Sequence, residues 1–177
     1  MSTTDSFDAV GLLVFVRSVI MQKSSIPSEK EALSRAEALC SRRECCISEI
    51  REKLTLWQQP SEVQQRIIDR LLAEGYIDEQ RFCKAYALDK LRYNHWGRIK
   101  IDQMLRLMGC SSTHRREALD QLPDDEYMAI LTRLAQTKLP TIKARSDYER
   151  KGKLMRFLAG KGFEMDLIRE VADVDED

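Results

Sequence analysis

The side chains in this chain with chemistry to offer are cations. Residues 81–106 carry Arg81, Lys84, Lys90, Arg92, Arg98, Lys100 and Arg106 against only Asp89 and Asp102, an excess of five positive charges. Residues 138–161 carry Lys138, Lys143, Arg145, Arg150, Lys151, Lys153, Arg156 and Lys161 against Asp147 and Glu149, an excess of six. Lysine and arginine spaced along helices can follow a phosphate backbone, and each neutralised phosphate releases counterions and makes binding salt-sensitive. Tyr93 and Trp96 lie inside the first window and could stack on bases. The alternative for these cations is a solvated helix surface, and for Trp96 a ring that anchors a turn.

Catalytic patterns are missing. The sequence holds no GxxxxGK[ST] phosphate loop, no GxGxxG, no HExxH and no GxSxG. His95 and His114 lie far apart, without clustered carboxylates, and read as surface or turn residues. The five cysteines (Cys40, Cys45, Cys46, Cys83 and Cys110) are odd in number and form no CxxC. They therefore read as small buried hydrophobes, neither a disulfide framework nor a zinc site. A redox role for the adjacent Cys45 and Cys46 is the weaker alternative. The chain reads as a non-enzyme that needs no cofactor and no metal.

The elements that must carry the cations are helices. The chain has 177 residues, 33% of them charged with no net charge, and only 7 Gly and 4 Pro. That composition belongs to a soluble, helix-rich, cytoplasmic protein. The apolar run VGLLVFVRSVIM at residues 10–21 contains Arg17 and is shorter than the roughly 20 residues of a membrane span. Asp5 and Asp8 precede it where a signal peptide would be basic. Residues 1–30 are expected to be a peripheral or disordered extension, with Met21 an alternative start and no membrane as partner.

From residue 31 onward the pattern is helix and turn. Ile47, Ile50, Leu54 and Trp57 form one apolar stripe. Ser61 reads as the cap of the next helix, which buries Val63, Ile67 and Leu71 and stops at Gly75. Asp78 caps a helix whose buried side is Phe82, Ala85 and Tyr86. Gly97 opens, and Gly109 ends, a helix carrying Leu105; helices over 124–138 and 147–161 follow, the second with Leu158 and the stop Gly162.

Leu54, Leu105 and Leu158 lie 51 and 53 residues apart, and Gln58, Gly109 and Gly162 follow each of them four residues on. Ile67, Ala118 and Val171 keep the same register, as do Ile68, Leu119 and Ala172. The fold class is therefore all-α, an elongated and curved array of three tandem three-helix repeats. The expected boundaries are residues 31–78, 79–123 and 124–177, the last with a short acidic tail. The glycines read as structural punctuation.

Four patches then resemble the RecX regulatory proteins, modulators of the bacterial recombinase RecA: SEIREKL at 48–54, EGYIDEQRFCKAY at 74–86, WGRIKIDQMLRLMG at 96–109 and KLMRFLAGKGF at 153–163. The resemblance covers about residues 31–171. It departs at Cys83, Gln58, and His114 with Arg115, where the family usually has Ala, Gly and apolar residues. The resemblance implies a monomeric protein that lies in the helical groove of the RecA–DNA filament. It implies inhibition of recombinase, ATPase and co-protease activities, hence roles in DNA repair, recombination and the SOS response. The two basic windows would face DNA, single- or double-stranded and without sequence preference, or acidic protomer surface. Acidic faces such as Glu49 with Glu52, and residues 124–126, would meet basic protomer regions. Two rivals stand beside this reading: a nucleic-acid-binding protein acting without RecA, since three-helix units imitate helix-turn-helix domains, and a passive helical scaffold.

Overall fold

The computed structural model describes residues 26–173, so the apolar run at 10–21 and most of the acidic tail lie outside it. Nine α-helices and no strand occur among the described residues. They are α1 (Glu29–Cys40), α2 (Ile47–Leu56), α3 (Ser61–Ala73), α4 (Glu79–Asn94), α5 (Arg98–Leu107), α6 (Ser112–Asp120), α7 (Asp124–Lys138), α8 (Asp147–Lys161) and α9 (Met165–Asp173). A short 3-10 turn, Leu139–Thr141, follows α7.

Side-chain caps set four of the helix starts. Ser28 and Glu31 form a reciprocal capping box at α1. Asp78, Ser111 and Ser146 accept from backbone N–H groups two to three residues into α4, α6 and α8. The expectation for α3 was wrong by one residue. Pro60, held extended at φ −59°, is the N-cap, and Ser61 is already inside the helix without a capping bond. On α4 the buried stripe is Phe82, Cys83, Ala87 and Leu91; Tyr86 is half-buried and Ala85 faces solvent. The four-residue step from Cys83 to Ala87 to Leu91 turns Ala85 to the opposite side of the helix.

The repeat register holds in three dimensions. Leu54, Leu105 and Leu158 are each fully buried. The residues four places on, Gln58, Gly109 and Gly162, all adopt left-handed backbone at φ 56°, 82° and 90°. Each second helix therefore ends by the same device, even where the residue is glutamine. A side-chain clasp repeats as well. Glu29 on α1 meets Arg66 on α3, and 51 residues later Gln80 on α4 meets Glu117 on α6. Substantial helix packing occurs within a repeat or between neighbouring repeats, as a tandem array requires.

The apolar side chains nonetheless form two cores, not three. The first gathers Ala32, Ala36, Cys45, Ile50, Leu54, Ile67, Ile68, Leu71 and Ile77. The second runs without a break from Cys46 through Leu105 to Leu158 and Val171. Adjacent residues Cys45 and Cys46 therefore belong to different cores.

Both joints between repeats use one scheme, in which the start of a second helix meets the end of the next repeat's second helix. Between repeats two and three, the Gly97 N–H donates to the Lys161 carbonyl at 2.9 Å and the Ile99 N–H to the Gly162 carbonyl at 3.1 Å. A Cβ on Gly97 would land on the Gly162 carbonyl group, and one on Gly162 would land on the Lys100 backbone and Cβ. Between repeats one and two the contact is looser. Cys46 stands at the position equivalent to Gly97, and Ser48 Oγ donates to the Met108 carbonyl at 2.9 Å.

Gly97→Ala should therefore cost about 3–5 kcal/mol, combining overpacking with two weakened backbone hydrogen bonds. Gly109→Ala, strained at positive φ but facing open space, should cost about 1–2 kcal/mol. Urea unfolding of the two variants checks the order; equal costs would show that the close approach at Gly97 carries no special constraint.

Candidate functional site

The structure divides the candidate cations into two groups. Three arginines of the first window are engaged in the joints. Arg81 on α4 meets Glu44 of the first repeat at 3.0 Å and donates to the Gly75 carbonyl at 3.0 Å. Arg92 near the end of α4 makes a two-pronged pair with Glu126 on α7 at 2.8 and 2.9 Å. Arg98 at the start of α5 meets Asp124 at 2.6 Å and Glu164 at 3.5 Å. Arginine suits such sites because its fixed fork matches a carboxylate with two parallel bonds.

Arg98 is the centre of a small network. Its guanidinium lies 4.0 Å from the centre of the Tyr127 ring. Its backbone N–H donates to the Tyr127 hydroxyl at 2.9 Å, and that hydroxyl donates to the Glu164 carboxylate at 2.5 Å. Burial, with the Glu164 hydrogen bond, holds the Tyr127 phenol well above the usual range, so it remains a donor. Burial works against the Arg98 cation, but the Asp124 bond, Tyr127 and Glu164 more than restore it.

Other candidates pair along their own helix. Lys90 meets Asp89 at 3.3 Å and lies over the Tyr86 ring; Arg150 meets Asp147 at 3.0 Å; Lys153 meets Glu149 at 2.7 Å. Lys100 sits 4.6 Å from the centre of the Trp96 ring, which Lys90 also approaches at 5.9 Å. Lys151 is half-buried and engaged.

Lys84, Arg106, Lys143, Arg145, Arg156 and Lys161 make no salt bridge with any described residue. Arg106, Lys143, Arg145 and Arg156 are also exposed. These are the cations left to meet an external anion. Exposed pairs such as Arg150 with Asp147 are worth little and can open to a phosphate.

The aromatic candidates separate too. Trp96 is half-buried against the second core and is flanked by two lysines, so it anchors the turn. Tyr93 is 79% exposed, and Tyr148, which the sequence reading passed over, is 90% exposed. The acidic surfaces are partly spent: Glu49 pairs with Arg43, Asp124 with Arg98 and Glu126 with Arg92, while Glu52 faces solvent.

The motif residues serve the scaffold. Gly75, Gly109 and Gly162 hold left-handed turns, Asp78 caps α4, and Phe82 and Tyr86 pack their rings 5.7 Å apart. His114 lies 2.8 Å from Glu79, which also accepts from the Ser111 backbone. Cys45, Cys46, Cys83 and Cys110 are buried, and burial pushes the half-buried Cys40 thiol up to about 12. A thiol held protonated is a poor nucleophile. Among the described residues no group of His, Cys, Asp and Glu could hold a metal, and no helix is long and apolar enough to cross a membrane.

Residues 78–119 match the second three-helix domain of RecX and residues 124–172 the third. The regulatory protein RecX of Chlorobium phaeobacteroides is 31% identical over 145 residues, covering 82% of this chain and 93% of that one. The Chromobacterium violaceum RecX is 30% identical over 142 residues, covering 80% and 89%. Two solved structures share the fold. A crystal structure of regulatory protein RecX gives a TM-score of 0.74 at 21% identity, covering 98% of this chain and 82% of that one. RecX from Lactobacillus salivarius gives 0.71 at 18%, covering 82% and 95%.

Tyr127→Phe should cost about 1–3 kcal/mol, because it strands the buried Arg98 N–H and removes the bond to Glu164. For a chain of this size that lowers the melting temperature by about 2–10 °C. A melting temperature unchanged in Tyr127→Phe would show that the relay is not a joint between repeats.

Proposed function

The chain belongs to the RecX family of regulatory proteins, and from that premise we propose that it binds the RecA–DNA filament in its helical groove. There it inhibits recombinase, ATPase and co-protease activities by binding, without catalysis of its own. On this reading it works as a cytoplasmic monomer, with three repeats bounded near residues 31–78, 79–123 and 124–177.

One observation carries the reading. After the joints have used Arg81, Arg92 and Arg98, both basic windows still present cations with no internal salt bridge, among them Lys84 and Arg106 in the first and Lys143, Arg145, Arg156 and Lys161 in the second. A tandem array with spare charge on successive repeats suits a polyanion wrapped in repeating protein subunits. Lys100, Lys90, Arg150, Lys151 and Lys153 are the supporting cations. Arg81, Arg92 and Arg98 hold the repeats in the spacing that such a partner would read. Sequence-specific duplex binding independent of RecA is the rival. It gains no support from the second three-helix unit, whose α5 start is buried against α8.

The test is RecA ATPase on single-stranded DNA, titrated with the wild type and with Arg106→Glu/Arg156→Glu at two salt concentrations. The double variant should retain its helicity by circular dichroism, since neither side chain has an internal salt bridge. Its inhibition should weaken, and its salt slope for single-stranded DNA should fall by about 0.7 for each lost phosphate contact. Unchanged inhibition at both salt concentrations would refute the assignment of these cations. Absence of inhibition by the wild type would refute the function.

A further inference from the structure

We propose that Tyr148 stacks on an unpaired nucleobase, making α8 a contact for single-stranded nucleic acid. The proposal rests on the reading that this protein touches the DNA of the filament. It adds to that reading a residue and a strand type.

Tyr148 is 90% exposed, more than any other large apolar or aromatic side chain described. Its position is fixed, because Ser146 caps α8 and Tyr148 is the second residue of that helix. The ring forms the crest between two grooves. One, of about 500 Å³, is lined by Leu139, Arg150, Leu154 and Ala172. The other, of about 560 Å³, is lined by Gly152, Met155 and Arg156. Each groove also holds a carboxylate, Asp147 in the first and Glu149 in the second, which engage Arg150 and Lys153; the arginine there without a salt bridge is Arg156.

The charge around it favours a phosphate chain. Arg145 and Lys143 lie just before the helix, exposed and without a salt bridge, and Arg156 follows two turns on. An exposed aromatic ring with cations on both sides is the arrangement that holds single strands, since every base offers a π-face while the backbone follows the charge. A paired base offers no free face to such a ring, so the contact discriminates against duplex.

A second exposed tyrosine lies in the preceding repeat. By the spacing of Leu105 and Leu158, Tyr148 corresponds to His95, two residues beyond Tyr93. Tyr93 is itself 79% exposed at the end of α4. Tyr93 closes the first helix of repeat two whereas Tyr148 opens the second helix of repeat three, so the two rings would be separate contacts along a strand.

The experiment is anisotropy of a labelled oligothymidine and of a labelled duplex of equal length, across a salt series. It compares the full chain with Tyr148→Ala and Tyr148→Phe. Tyr148→Ala should weaken oligothymidine binding about 5- to 150-fold with an unchanged salt slope, while Tyr148→Phe binds like the wild type and duplex affinity does not move. Wild-type affinity for oligothymidine in Tyr148→Ala overturns the stacking role but leaves the proposed function standing. An equal loss on both nucleic acids also overturns it. A variant that binds oligothymidine normally yet fails to inhibit RecA makes Tyr148 a protein contact instead. If the wild type binds no oligothymidine, stacking fails; the ATPase titration then decides separately whether the function fails with it.

Discussion

The array depends most on how the start of α5 is satisfied. A helix begins with N–H groups that have no partner inside it. For α5, the N–H groups of Gly97, Arg98 and Ile99 all find acceptors in the third repeat: the Lys161 carbonyl, the Tyr127 hydroxyl and the Gly162 carbonyl. The positive end of one helix dipole thus abuts the negative end of another, α8, at hydrogen-bonding distance. Backbones can approach this closely only because both contact residues lack a Cβ. The third repeat therefore completes the second, which explains why they share one core.

The same constraint decides what the basic windows can do. Bringing the end of α8 to the start of α5 also brings Glu164 and Asp124 to Arg98, and places α7 where Glu126 meets Arg92. Cations that look in sequence like a patch for a polyanion are thus divided. Arginines near a joint become staples, and those on the outer turns keep their charge for a partner. The division follows position in the repeat, not residue type.

Much of the scaffold was legible. Helices α7 and α8 span the residues their pattern predicts, 124–138 and 147–161, and Leu54, Leu105 and Leu158 announce the repeat because all three are fully buried. The cap of α3 was misread because a serine beside a proline offers two solutions. The joints were not read, since a glycine that permits a close approach looks the same as one that permits a turn. The stapling pairs were missed because their partners are distant in sequence. A signal existed: Glu29 with Arg66, Glu44 with Arg81 and Gln80 with Glu117 all lie 37 residues apart. The exposure of Tyr148 depends on how the helices pack around it, which no periodicity records.

The step between cores at Cys45 and Cys46 has a mechanical corollary. With one side chain committed to each core, that dipeptide, between α1 and α2 of the first repeat, ties the two interiors together. The Ser48–Met108 bond, the exposed Arg81–Glu44 pair and the Arg81–Gly75 bond brace the same joint. A substitution at Cys45 therefore disturbs the first interior and one at Cys46 the second, although the two residues share a peptide bond.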